Sequence, residues 1–323
     1  MELRLTRYNG GSRGPVLLSH CIGVSSSMYS LDTIETNLVE HLVEHGFDVW
    51  LLDHRLSIEL PASKLPSTLD DVAAKDYPAA VAAVLELSGS PSLQVVCHGV
   101  GSSTFTMAML AGLQGVRAAV CSQVSTDLLV TPGNRVKAKL RMPEALQLLG
   151  ADAVTAYTDR KAAWGSRLYN SLLSHSPMEA EEDCRSPVCK RITAIYGHLY
   201  EHDQLSAATH ANLHEFFGRV NLTALRQLSL LSRAGHLVNA SGEEAYLPHL
   251  KRMAIPVALL HGGENTCVLP RSTELTLERL AAENGAALYK RHVIPNYGHV
   301  DCMLGENAAQ DVFPLVTEHL AST

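Results

Sequence analysis

The densest run of chemistry-bearing residues is Cys97-His98-Gly99-Val100-Gly101, directly after the apolar stretch Leu93-Gln94-Val95-Val96. Small residues flanking a central position between a strand and a helix permit a sharp, strained turn, which lifts the central residue's reactive atom above the sheet. The usual letters are G-x-S-x-G. Here Cys97 takes the first glycine's place, Gly99 the nucleophile's and Gly101 the second glycine's. A glycine turn that merely lets a helix pack closely is the plain alternative. Attack on an acyl carbonyl also needs two backbone N–H groups aimed at the oxygen that becomes charged. Val100, just after the bend, would supply one. Ile22, in His20-Cys21-Ile22-Gly23 at the end of an early strand, would supply the other. Ser25, Ser26 and Ser27 either line the same pocket or form a solvated loop.

The proton chemistry points to two later loops. His299, in Asn296-Tyr297-Gly298-His299-Val300-Asp301, is the candidate base, since a neutral imidazole can take a proton and return it to a leaving group. Asn265, in Leu260-His261-Gly262-Gly263-Glu264-Asn265, would hold that imidazole through its side-chain carbonyl. An amide cannot offset imidazolium charge, a trade that suits a cysteine–histidine pair in which a thiolate carries the negative charge. Glu264 is the acidic alternative, placed second by strand-end spacing. Other attacking groups are poorly placed: Cys97 should point into the sheet, Ser102 should be buried under the helix, and Cys21 is the best situated of the three. Cys21, His98, Tyr196 and Tyr200 are the candidate substrate contacts.

Apolar runs alternating with helix-period stretches predict a mostly parallel sheet covered on both faces. The expected strands are Val16–His20, Phe47–Asp53, Leu93–His98, Val116–Ser122, Pro256–His261 and Ala287–Ile294. The expected helices are Leu31–His45, Leu69–Leu87, Ser103–Leu113, Ser272–Asn284 and Asn307–Ala321. Ser30 should cap the first and Gly46 end it, Ser67 with Asp70 resembles a capping box, and Pro78 should kink the second helix or mark its start. Residues 126–251 are too long for a simple crossover. They read as an inserted helical lid, with helices at Met142–Leu149, Ala151–Thr158, Gln204–Phe217 and Leu222–Leu231. The expected division is a core of 1–125 with 252–323, and a lid of 126–251.

Over nearly its full length the chain resembles the α/β-hydrolase superfamily, in which bend, orienting residue and histidine follow in this order. HCIG, FDVWLLDHR and YGHVD look like the acid lipase branch. AMLAGLQGVRAAVCSQVS, CRSPVCKRIT, YEHDQL and GENTCVLPRSTE are more similar to bacterial hydrolase domains, some found beside cholesterol-oxidase-like (glucose–methanol–choline type) oxidoreductases. That resemblance implies a bend reading His-Cys-x-Gly and an orienting Asn, and hence cysteine where this chain has Gly99. The fold expected is α/β, a mostly parallel central sheet of α/β-hydrolase type with an inserted helical lid.

Glycine has no side chain to attack with. Three readings follow. Gly99 stands in for a natural nucleophile, cysteine or serine, in a thioesterase, esterase or acyltransferase; or His299 acts directly as a general base without a nucleophile; or a binding protein uses the scaffold. Apolar lid residues (Leu168, Tyr169, Leu172, Tyr196, Leu199 and Phe216) either form an acyl pocket or pack the lid. The substrate class is a small-molecule or carrier-bound acyl group, with no cofactor and no metal. His198 with His202, and His210 with His214, have helical spacing, and His198-Leu199-Tyr200-Glu201-His202 fits H-x-x-E-H, yet a lid-packing helix accounts for them. Cys184 and Cys189 lack a matching pair and read as lid thiols. Asp53 and His54 are either ligand contacts or a structural turn. A net charge of -7 gives no nucleic-acid footprint, no apolar run reaches a membrane span, and seven cysteines without framework spacing suggest a reducing cytoplasm.

Overall fold

The computed structural model describes residues 2–156, 184 and 186–323. Its centre is a seven-stranded sheet in the order β1-β3-β2-β4-β5-β8-β9. These strands are β1 (Arg4–Tyr8), β2 (Pro15–Ser19), β3 (Asp48–Asp53), β4 (Leu93–His98), β5 (Val116–Ser122), β8 (Val257–Gly262) and β9 (Tyr289–Ile294). β1 runs antiparallel to β3 and every other neighbouring pair is parallel. β2, β3, β4 and β8 are buried at every position, as continuous apolar runs between two helical layers must be. The edge strand β1 was not expected from sequence. Its RLTRY is half exposed, and its arginines reach back to Asp53 and Asp48 on β3.

Several boundaries differ from the expectations, for local reasons. The first helix is only Leu38–Glu44, because Asn37, in a capping box with Glu40, caps it where Ser30 was expected to. In the second, Thr68 and Asp71 form the box instead of Ser67 and Asp70. That helix widens into a π-turn at Val72–Asp76 just before Pro78, whose missing N–H cannot bond the carbonyl of Ala74. The last helix divides into Ala308–Asp311 and Phe313–Ala321 around Pro314.

Between β5 and β8 the chain makes its long excursion. β6 (Ala153–Thr155) and β7 (Arg219–Asn221) form a small antiparallel pair, so the helix expected at 151–158 is a strand where it is described. Helices Pro132–Lys139, Met142–Leu148, Pro187–Tyr196 and Leu222–Ala234 belong to the same excursion. The helix expected at 204–217 is instead a turn at His202–Gln204 followed by Ala207–Ala211 and Leu213–Phe216, broken at Asn212. Neither histidine pair therefore lies along one helix. Two apolar cores, one on each face of the sheet, hold the layers together. No helix among the described residues is long and apolar enough to cross a membrane.

Candidate active site

β4 ends at His98, a helix begins at Val100, and Gly99 between them has φ 55° and ψ -125°. Residues with side chains seldom adopt this conformation, and it is the strained bend anticipated between strand and helix. Gly101 serves a different need. A Cβ there would lie 2.5 Å from the carbonyl oxygen of His20 and 2.7 Å from that of Ser19, so only glycine lets the helix meet β2. Tyr77 pins the approach by donating to the Gly101 carbonyl at 2.8 Å.

A Cβ built at Gly99 would lie 3.0 Å from His299 Nε2 and 2.6 Å from Cys21 Sγ. A side chain at position 99 would therefore face the imidazole, but the Cys21 sulfur now crowds that space. Val100 N–H donates to Cys21 Sγ at 3.3 Å, and the Ile22 N–H also faces the sulfur. Removal from water pushes the Cys21 thiol up to about 11, so it is neutral at physiological pH. It is a poor nucleophile in that form.

His299 and Asn265 are both buried and hydrogen-bonded at 2.9 Å, whereas the Glu264 side chain is exposed. The bond runs opposite to expectation. Asn265 Oδ1 already accepts the backbone N–H groups of Cys267 and Val268 at 3.0 Å, so its NH2 faces the imidazole. That NH2 also donates to Gln123 Oε1 at 2.9 Å. His299 Nδ1 is thus an acceptor, and the ring carries its proton on Nε2, toward Gly99. Burial holds the His299 pKa well below its ordinary value; His98 and His261 add repulsion only when charged, and burial draws them down to about 3 and about 4. Val100 N–H, Ile22 N–H and His299 Nε2–H converge on one region as donors.

Gln123 was missed in the sequence. Its Oε1 also accepts from Gly262 N–H at 3.1 Å, and its φ of 74° is unusual for a residue with a side chain. His98 and Tyr200 are not among the residues lining the two cavities described below. His98 bonds Ser122 Oγ through Nδ1 at 3.1 Å and packs edge-on against His299 at 5.0 Å. Tyr200 is buried and packs edge-on against His202. The Ser25–Ser27 turn is a support: Ser25 bonds Ser27, and Ser26 bonds Asp53 through both backbone and hydroxyl. Asp53 also accepts from Ser57 and Arg4, and His54 stacks on His20 at 3.9 Å, so this pair braces the Cys21–Ile22 loop from behind. As expected, Cys97 points into the sheet and Ser102 is buried, bonded to the Cys97 carbonyl.

Above Gly99 lies an apolar chamber of about 60 Å³, lined by Cys21, Ile22, Val100, Leu199, Cys267 and His299 among others. A second cavity of about 290 Å³ lies under Met142 and Leu225, and the two share Leu128, Tyr196, Leu228, Cys267 and Val268. Tyr196 and Leu199 line the inner chamber with Phe217, while the neighbouring Phe216 packs against the core. Leu168, Tyr169 and Leu172 lie outside the described residues.

The family described as alpha/beta hydrolase fold matches residues 14–306. Human lipase member K is 22% identical, the match covering 92% of this chain and 77% of the lipase. A Paleococcus ferrophilus monoacylglycerol lipase superposes with a TM-score of 0.58 at 16% identity, covering 100% of this chain and 99% of its own. A thermophilic esterase from Thermogutta terrifontis gives 0.53 at 15% identity, over 99% of this chain and 93% of its own. At these identities the structural likeness carries the fold.

Proposed function

Since the chain belongs to the alpha/beta hydrolase fold family and is of lipase/esterase type, we propose that its site is built for acyl transfer from an apolar ester or thioester, with glycine at the nucleophile position. One observation supports this above all: a side chain at position 99 would project to within 3.0 Å of His299 Nε2, beside the Val100 N–H. In this reading His299, once a tautomer shift frees Nε2, takes the proton of the group at 99 as that group attacks the carbonyl; Val100 and Ile22 N–H bind the oxyanion, Asn265 and Gln123 orient the ring, and the same proton passes from Nε2 to the leaving group. The 126–251 segment acts as a lid, and the two cavities under it take the acyl chain. Whether water or another acceptor completes the cycle, the first half-reaction is the same.

Gly99→Cys and Gly99→Ser, each combined with Cys21→Ala to clear the space, test it on ester and thioester substrates. We expect both to gain turnover over the chain as it stands. Cysteine should gain more, because Nε2 already carries a proton and a thiol loses its own far more readily than a serine hydroxyl, giving a strongly nucleophilic thiolate. Absence of any gain in both folded variants contradicts the reading. A second reading has its own support in the three donors that meet above Gly99: the native chain holds an acyl ligand by its carbonyl or carboxylate oxygen without turning it over. Tight binding of acyl ligands together with inert Gly99 variants would favour that alternative.

A further inference from the structure

The sequence reading set aside Cys184 and Cys189 as lid thiols and the four histidines as helix packing. The fold brings one member of each histidine pair to the two thiols. Cys184 Sγ and Cys189 Sγ each lie 3.3 Å from His210 Nε2, and a ring nitrogen of His202 completes a group whose four ligand atoms all lie within 4.8 Å of one another. We propose that Cys184, Cys189, His202 and His210 bind a divalent cation of the zinc type, as a structural site that supplies no group to the acyl chemistry.

Three features carry the assignment. The donor set is two sulfurs and two imidazoles, the composition that selects zinc over oxygen-seeking magnesium or calcium. The spacing is right as well. Zn–S near 2.3 Å and Zn–N near 2.0 Å require sulfur–nitrogen edges of about 3.5 Å in a tetrahedron, close to the two edges observed. The pairs come from separate places: Cys189 from the helix Pro187–Tyr196 and Cys184 from the segment before it, His202 from a turn, and His210 from the helix Ala207–Ala211. An ion would join these pieces, which share no long helix or sheet.

Binding would replace both thiol protons. Two thiols and two neutral imidazoles take up one dication and release two protons to solvent, leaving a neutral centre. Affinity must therefore fall as pH drops. The ion would also reach the active site through the chain. The helix carrying Cys189 ends at Tyr196, which lines both cavities, and the next segment bonds the histidine loop: His299 N–H and Val300 N–H both donate to the Leu199 carbonyl, at 2.9 and 2.8 Å. The site fastens the cavity wall to the loop that holds His299.

The test uses the full chain, purified without chelator and incubated with zinc alone. We expect one zinc per chain by elemental analysis, and with cobalt the intense visible absorption of a tetrahedral thiolate site. Cys189→Ser, His202→Ala and His210→Ala should each lose that spectrum, while His214→Ala, the helical-pair partner of His210, keeps it. The half-exposed His202→Ala tests the site even if the buried Cys189→Ser fails to fold. Zinc should raise the melting temperature of the native chain and not that of folded His202→Ala. Substoichiometric zinc, cobalt bound without thiolate character, an unchanged spectrum in folded His202→Ala, or a thiol count showing a Cys184–Cys189 disulfide would each overturn the proposal.

Discussion

The residue that most limits chemistry at this site, besides Gly99, is Asn265. Its carbonyl is spent on two backbone N–H groups, so its NH2 sets the tautomer of His299 with the proton on Nε2. The expected outcome of nitrogen NMR on the native chain is a neutral His299 protonated at Nε2; protonation at Nδ1 would contradict the assignment. Asn265→Asp should reverse it, because a carboxylate draws the proton to Nδ1 and frees Nε2 as a base. A wrong tautomer costs a serine protease about 10⁴-fold, so in the Gly99→Ser background this change should raise acylation by on the order of 10² or more, read by burst kinetics. It should also cost about 1–3 kcal/mol of stability by chemical denaturation, since Gln123 Oε1 would face a carboxylate instead of a donor. None of this was legible in the sequence. The letters placed Asn265 and His299 at strand ends, but the direction of an amide depends on which backbone N–H groups its loop turns toward it. Gln123 was hidden for the same reason: its role comes from a left-handed backbone at the end of β5.

At the scale of elements, the contact that matters joins the 199–204 segment to the loop 296–301. Asp301 Oδ2 accepts from Gly298 N–H at 2.8 Å and from Glu201 N–H at 3.1 Å, so one buried carboxyl clamps both. Burial outweighs these donors and raises its pKa from 3.8 to about 6. Between those values the folded chain holds a proton that the unfolded chain has lost. The Asp301 contribution is therefore most favourable below the window and is lost as pH rises through it, by at most about 3 kcal/mol at neutral pH. Asp301→Asn keeps an oxygen for both donors and carries no charge. Melting profiles from about pH 4 to about pH 7 should show the variant gaining on the native chain as pH rises; parallel profiles would contradict this account. Sequence reading served elements unevenly. The buried strands announced themselves as apolar runs, and five of the six expected ones lie within one residue of their predicted starts and ends. β1 did not, because a charged edge strand has no buried face to pattern it. The short pieces between β5 and β8 gave weak periodicity, and a three-residue strand passed for helix.

For the whole molecule, the inner chamber over Gly99 shares wall residues, Tyr196, Cys267 and Leu228 among them, with a larger outer cavity, and in the proposed reading a long acyl chain passes from one to the other. This predicts chain-length selectivity. Leu228→Trp should obstruct the passage and leave short acyl groups unaffected while weakening long ones, by about 0.8 kcal/mol, or roughly fourfold, for each methylene denied burial. A chain-length series in the Gly99→Cys background reads this directly, and equal losses at all lengths would exclude the outer cavity as the acyl site. The sequence indicated the overall fold because bend, orienting residue and histidine kept their order along an alternating α/β pattern. It could not show the cavities, which depend on how the excursion lies over the strands, nor the meeting of Cys184 and Cys189 with His202 and His210. The most direct test of the central claim is covalent trapping. Gly99→Cys with Cys21→Ala is exposed to an activated long-chain ester and then analysed by intact mass and peptide mapping. One acyl group should appear, carried on the peptide containing position 99 and lost when His299→Ala is added. A folded protein with no adduct there, or with labelling spread over its other thiols, would contradict it.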